Sequence, residues 1–407
     1  MNNKSNSRYG LLLRYSIKKL QMHKILLIAG AALILACGKI KDVYNDSSIK
    51  YNIDWTTAAD SSSTSFVNVY WNTTKHHFNN DNFGAVNQFD YWPEAHGLDV
   101  LVDAYKRTGN ALYKDRINDF YEGVKAKNGG SFYNNYYDDM GWHGMAHLRA
   151  FEATGDARYE ASAKQLWQWI IAGWNDSDGG GVPWNHENTD AGRSKGIPAN
   201  GPAAIIAARR WQKYGTAEVI GGLNDLQWLD KIYNWMKEHR VVQQSGRVYE
   251  KLNDTKGDWT YNAGTYMGAA LEYYNITGNK VYLNDAIKTA DWTTSTLINA
   301  NNKVLSDWAE QQDHDVNLFK GIFVRYLTLL IRHKDLPETN RKRYVYFLKN
   351  SAQILWTAGA AKSPVVLFGY HWWQAPTESK VALRTQLSAC MLMESLALLK
   401  AEGFIEQ

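Results

Sequence analysis

The sequence predicts an all-α chain folded as an (α/α)6 barrel of six helical hairpins. Three observations predict it. From about residue 58 onward, apolar residues recur at three- and four-residue spacing, with breaks at Gly, Asn and Pro. One corner then repeats: Ala104-Tyr105-Lys106-Arg107-Thr108-Gly109-Asn110-Ala111-Leu112-Tyr113 matches Ala150-Phe151-Glu152-Ala153-Thr154-Gly155-Asp156-Ala157-Arg158-Tyr159, and the pattern returns around Thr277-Gly278-Asn279. Gly closes one helix with a left-handed residue, and Asn or Asp caps the next. Finally, short links alternate with long ones at 74–92, 127–139, 173–200, 240–261, 298–318 and 358–380. Tight turns at one end and long loops at the other put function at the loop end. An open superhelix of hairpins is the alternative; the few residues after the last helix favour a closed ring.

Taken in order, residues 1–24 are polar and basic, with Arg8, Arg14, Lys18, Lys19 and Lys24, and Ile25 to Ala36 are apolar. Ile34-Leu35-Ala36-Cys37-Gly38 follows, a small residue before a cysteine, as at the end of an export signal. This stretch resembles a bacterial lipobox, which implies lipidation of Cys37 and a signal peptide spanning 1–37. The apolar run is short for a bilayer span. Initiation at Met22 gives a more ordinary signal. Residues 38–57 are polar and read as a flexible tether. The expected location is the envelope of a Gram-negative bacterium, lipid-anchored on the periplasmic side or the cell surface.

The folded domain is expected over 58–407, with helices at 58–73, 93–108, 111–126, 140–154, 157–172, 201–213, 223–239, 262–277, 280–297, 319–333, 339–357 and 381–401. The strand-like signal is confined to Arg247-Val248-Tyr249-Glu250, in a loop.

Composition narrows the chemistry. Across 407 residues, 45 basic and 41 acidic side chains leave a net charge of +4, with no basic block to hold nucleic acid. The chain carries 17 Trp and 25 Tyr against 12 Phe. Trp and Tyr combine an apolar face with a polar handle, and sugar rings need both. Many of them must also fill a helix-packing core. Cys37 and Cys390 make no disulfide framework. Neither a metal nor a cofactor is expected: the Gly179-Gly180-Gly181 run lacks the Gly-Lys-Ser/Thr of a phosphate loop, and its glycines are expected to let backbone approach a ligand. Asp313-His314-Asp315 and the His143/His147 pair are weak metal signals that lack a full ligand set.

The long loops are rich in Trp, Tyr, Asn, Gly and Asp. One reads Asn134-Asn135-Tyr136-Tyr137-Asp138-Asp139-Met140-Gly141-Trp142. Adjacent carboxylates before an apolar helical run read as the mouth end of a helix pointing into a carbohydrate cleft, although capping and the helix dipole alone also favour acids there. Asn200 is expected to cap the helix after 173–200, with Pro202 in its first turn.

Five ordered pieces then resemble glycoside hydrolase family 76, the bacterial endo-α-1,6-mannanases, over roughly 58–401. They are Tyr137-Asp138-Asp139, the loop at 179–182, Ala199-Asn200-Gly201-Pro202-Ala203-Ala204, Thr260-Tyr261-Asn262-Ala263-Gly264 and Phe319-Lys320-Gly321-Ile322-Phe323-Val324-Arg325-Tyr326. Ala263 departs from the Gln found in many members. The resemblance implies an (α/α)6 barrel and retaining hydrolysis of internal α-1,6-mannosidic bonds, with Asp138 as nucleophile and Asp139 as general acid/base. The residues are compatible: a retaining pair needs carboxyls about 5–5.5 Å apart, and neighbouring Cα atoms lie about 3.8 Å apart. Asn134, Asn135, Tyr136, Trp142, Trp184, Asn200, Tyr261, Asn262 and Arg325 are the expected substrate-binding set, with Trp142 and Trp184 stacking on sugars and the amides and Arg325 holding hydroxyls. For each, packing or capping is the competing role. Trp372 and Trp373 edge a distal subsite or belong to the core. The competing functions are a non-catalytic glycan-binding protein, a mannosyl transglycosylase using the same acid pair, and another (α/α)6 enzyme such as a lyase or epimerase.

Overall fold

The computed structural model describes residues 53–405, apart from 85–88, 188 and 251–256. The expected signal peptide, Cys37 and the tether as far as residue 52 lie outside the described residues. Twelve long helices are present among the described residues: α1 Trp55–Tyr70, α2 Tyr91–Thr108, α3 Ala111–Lys127, α4 Tyr137–Thr154, α5 Ala157–Ala172, α6 Ile197–Tyr214, α7 Asp225–His239, α8 Thr260–Thr277, α9 Lys280–Thr296, α10 Val316–Arg332, α11 Glu338–Thr357 and α12 Leu383–Ala401. The tether gives way to helix before residue 58, because the Asp54 carboxylate accepts the Thr56 amide at 3.0 Å and starts α1 at Trp55.

The even-numbered helices pack side to side in a closed ring, α2 on α4, α6, α8, α10, α12 and back to α2. The odd-numbered helices lie outside them. This is the expected (α/α)6 barrel. Its hairpins differ from the expected six in one respect: five run through short links, and the sixth joins the chain ends, α12 against α1. Lys400 bonds Asp54 at 2.9 Å, and Ser63 bonds Glu394 at 2.6 Å across that pair.

The repeated corner folds as its residues require. Gly109, Gly155 and Gly278 take φ of 64°, 74° and 66°, where a Cβ is strained. Asn110, Asp156 and Asn279 cap the following helices at 2.9–3.1 Å. Thr108, Thr154 and Thr277 each accept the cap residue's own amide. Two-residue antiparallel strands brace four of the links, among them Arg247–Val248 on Val241–Val242, where the sequence hinted at a strand.

Inner-ring helices approach closely because small residues face their neighbours. A Cβ on Gly141 would lie 2.8 Å from Pro202, one on Gly201 2.6 Å from Thr265 Oγ1, one on Gly264 2.8 Å from Phe323 Cα, and one on Gly321 2.7 Å from Ser388 Cα. Those four contacts join α4 to α6, α6 to α8, α8 to α10 and α10 to α12.

The short-link end is closed by buried charge. Arg149 on α4 bonds Asp99 and Asp103 of α2, and Arg325 on α10 reaches Asp103 at 2.8 Å from across the ring. Arg209 pairs with Glu272 at 3.0 Å, and Arg107 with Glu394 at 2.7 Å. Burial alone would raise the Asp99 carboxyl, but Arg149 and Arg325 overcome it and hold it at about 2. The other end, where the six inner helices begin, stays open as the mouth.

Gly264→Ala is expected to cost about 1–3 kcal/mol, since the added methyl meets helix backbone rather than a side chain that can turn away. Chemical denaturation of the variant beside wild type measures it.

Candidate active site

Five of the six inner helices start earlier than their apolar periodicity announces, and α12 starts later, at Leu383 rather than 381. α4 begins at Tyr137 rather than 140, α6 at Ile197 rather than 201, α8 at Thr260 rather than 262, and α10 at Val316 rather than 319. The opening turns of α4 and α8 hold polar and aromatic residues, whereas α6 and α10 open on buried Ile197, Ala199, Val316 and Leu318.

Asp138 and Asp139 occupy the first turn of α4. The turn is prepared locally: the Asn134 side chain accepts the Tyr136 amide at 2.9 Å, and the Tyr137 amide donates to the Trp184 carbonyl at 2.9 Å. Asp138 accepts two hydrogen bonds, from the Asp139 amide at 3.1 Å and from Trp184 Nε1 at 3.1 Å. Removal from water raises the affinity of both carboxyls for a proton. At Asp138 the two donors oppose that rise. At Asp139 nothing opposes it: the charge of Asp138 adds to burial, followed by those of Asp90 and Asp315. Both carboxyls are thus raised, and of the two only Asp138 has hydrogen-bond donors that favour its anion. This is the division that nucleophile and acid require.

A sequence model of glycosyl hydrolase family 76 matches residues 54–407. The chain belongs to glycosyl hydrolase family 76. An α-1,6-mannanase of Salegentibacter sp. HEL1_6 is 37% identical, with a TM-score of 0.77 over 85% of this chain and 100% of that one. Its structures include variants described as inactive, with two successive aspartates replaced by alanine or by asparagine, in complex with α-1,6-mannotetrose and α-1,6-mannotriose. A Listeria innocua protein of solved structure is 30% identical, with a TM-score of 0.75 over 87% of this chain and 100% of that one. A mannan endo-1,6-alpha-mannosidase of Candida glabrata is 23% identical over 343 residues, 76% of this chain and 73% of its own length.

Around Asp138 and Asp139, the expected binding residues separate into two groups. Tyr136, Trp184, Tyr261, Asn134 and Asn135 gather at the mouth. The Tyr136 and Trp184 rings lie 5.0 Å apart. Asn135 turns its carbonyl to His186 Nδ1 at 2.8 Å. Tyr261 stacks on Phe319 at 3.9 Å, and its phenol, raised by burial, also feels the charges of Glu250 and Asp138. Asn262 is buried beside it.

The other residues are corrected by the structure. Trp142 is only 3% exposed, wedged between His96 and Tyr261, so it supports the mouth from beneath and offers no face to a sugar. Asn200 neither caps a helix nor meets a hydroxyl. α6 already starts at Ile197, and the Asn200 amide clamps Val182 through both its N–H and carbonyl, at 2.8 and 2.9 Å. Pro202 correspondingly sits inside α6, beyond its first turn. Arg325 lies roughly 13 Å below the start of α10 at 1.5 Å per residue, held in the carboxylate cluster of the closed end. The glycines at 179–181 do not serve ligand approach. They take positive φ and lie where a Cβ would strike His239, Trp174 and Trp235. Trp372 is core, its ring under the Lys320 ammonium at 5.0 Å.

Two residues that organise the site, Lys195 and Arg384, were not singled out from sequence. Lys195 is buried and its ammonium meets four oxygens, from Asn175 (two), Ser177 and Gly180, at 2.5–3.0 Å. It fixes the loop whose Trp184 bonds Asp138. Arg384 on α12 gathers Asp90, Asp313 and Asp315, which engages two of the acids in the Asp313-His314-Asp315 stretch. His143 and His147 are buried among aromatics, bonding the Tyr91 carbonyl and Ser162. The signal for Lys195 and Arg384 was faint, since each is a single charge whose partners are distant in sequence or lie in irregular loop.

Trp184→Phe keeps the ring and removes its N–H. Asp138 then binds its proton more tightly, so the acid limb of the pH–rate profile moves to higher pH, and kcat/KM falls roughly 10- to 100-fold, the worth of one hydrogen bond to a charged group. Steady-state kinetics across pH measure both.

Proposed function

We propose that this family 76 chain is a retaining endo-α-1,6-mannanase with Asp138 as nucleophile and Asp139 as general acid/base. The observation that carries it is the adjacent carboxyl pair at the mouth, one accepting from Trp184 and the helix amide, the other raised by burial and by the charge of its neighbour. The relative in which two successive aspartates were replaced to give inactive, α-1,6-mannoside-bound forms supports it.

In the first step an Asp138 oxygen bonds to the anomeric carbon as the glycosidic C–O bond breaks, and Asp139 passes its proton to the leaving oxygen. In the second, Asp139 takes a proton from water, the water oxygen attacks the anomeric carbon, and the bond to Asp138 breaks. Two inversions leave the α-configuration. The N–H groups at the start of α4 favour the anion on Asp138, and the charge of Asp138 keeps Asp139 protonated for the first step.

The test is a digest of unbranched α-1,6-mannan followed over time. Wild type yields short oligosaccharides of mixed length early, and NMR shows the α-anomer formed first. Asp138→Ala and Asp139→Ala each lose at least about a thousandfold in kcat. Products longer than the substrate mark transfer to a sugar instead of water, and binding without cleavage marks a lectin-like protein.

The proposed location is a membrane surface of the cell envelope, through a lipid on Cys37. The Ile34-Leu35-Ala36-Cys37 pattern supports this. Among the described residues no helix is long and apolar enough to cross a membrane. Cys37→Ser is expected to move the protein from the membrane fraction to the soluble fraction, as read by fractionation and immunoblot.

A further inference from the structure

We propose that Trp308 is an outer sugar platform at the rim of the mouth, taking one hexopyranose ring of the mannan chain beyond those that flank the scissile bond. This rests on the mannanase reading and extends it to chain length. Trp308 is 70% exposed. One face of its indole stacks on Trp259 at 4.8 Å and 24°, leaving the other to solvent. Trp259 meets Phe319 edge-on at 5.7 Å, and Phe319 stacks on Tyr261 at 3.9 Å. Tyr261 is the ring that feels the Asp138 charge. A continuous aromatic strip thus runs from the acid pair to the rim.

The rim is held rigidly. The Asp307 carboxylate accepts the Thr260 amide at 2.9 Å and the Thr260 hydroxyl at 2.6 Å, which ties the residue before Trp308 to the start of α8. The Asp307 amide donates to Glu310 at 2.9 Å, and Glu310 is itself buried against Lys320 at 2.6 Å and His371 at 2.8 Å. A large apolar face is therefore pinned in water by buried polar groups on both sides. Of the polar residues near it in the chain, Asp307 and Glu310 are buried, while Gln311 is exposed and Gln312 half-buried. One indole face in a polar surround is too small for a protein-docking patch. It suits a sugar, whose C–H face stacks on indole while its hydroxyls meet polar side chains.

The experiment compares the full chain with Trp308→Ala and Trp308→Phe on linear α-1,6-mannan and on α-1,6-mannotetraose. The expected result is that Trp308→Ala lowers the ratio of kcat/KM for polymer over tetrasaccharide by about tenfold, roughly the worth of one aromatic contact. Trp308→Phe restores most of the ratio, and the Tm of both variants stays close to wild type. An unchanged ratio overturns the platform. If wild type cleaves neither substrate, the mannanase reading fails instead. The platform is then read by affinity electrophoresis in mannan gels, where equal retardation of wild type and Trp308→Ala overturns it.

Discussion

The barrel depends on how closely its six inner helices can approach. Gly141, Gly201, Gly264 and Gly321 each sit where a neighbouring helix leaves no room for a methyl group. Close backbones make the ring narrow, and a narrow ring brings the first turns of α2, α4, α8, α10 and α12 to one opening. Asp90, Asp138, Asp139, Tyr261, Asp315 and Arg384 meet there although the chain separates them by hundreds of residues. Remove the close contacts and the charges that tune Asp139 move apart.

The inner helices run in parallel, so the positive ends of their dipoles all face the mouth. That explains how the opening tolerates so many carboxylates. The opposite end needs the reverse, and it has side chains of both signs bonded to one another. Arg325 illustrates the logic. Its family motif drew attention to it as a hydroxyl binder, but its distance along α10 commits it to Asp99 and Asp103. Its contribution to the site is to close the barrel beneath it.

What sequence revealed follows from the range of the interactions. The Thr-Gly-Asn/Asp corners are local, so they were legible and folded as expected. Asp138 and Asp139 were read at the mouth end of a helix, although its start was set at 140, just after them. The starts of α4 and α8 were set too late because their opening turns carry polar and aromatic residues in place of the apolar repeat. Trp142, Asn200 and Arg325 were read by residue type, and type does not say which way a side chain faces. Lys195 and Arg384 were invisible for a related reason: a single cation gains meaning only when a fold wraps oxygens around it.

The pairing of α1 with α12 has a consequence for biogenesis. The first helix of the domain to be synthesised has its main partner in the last, so the ring stays open until α12 has emerged. Up to that moment the inner faces of α2 and α10 lack the helix between them. Such a domain has little to gain from folding early and much to expose if it tries. An architecture whose keystone is made last delays its own closure until the whole domain has been synthesised.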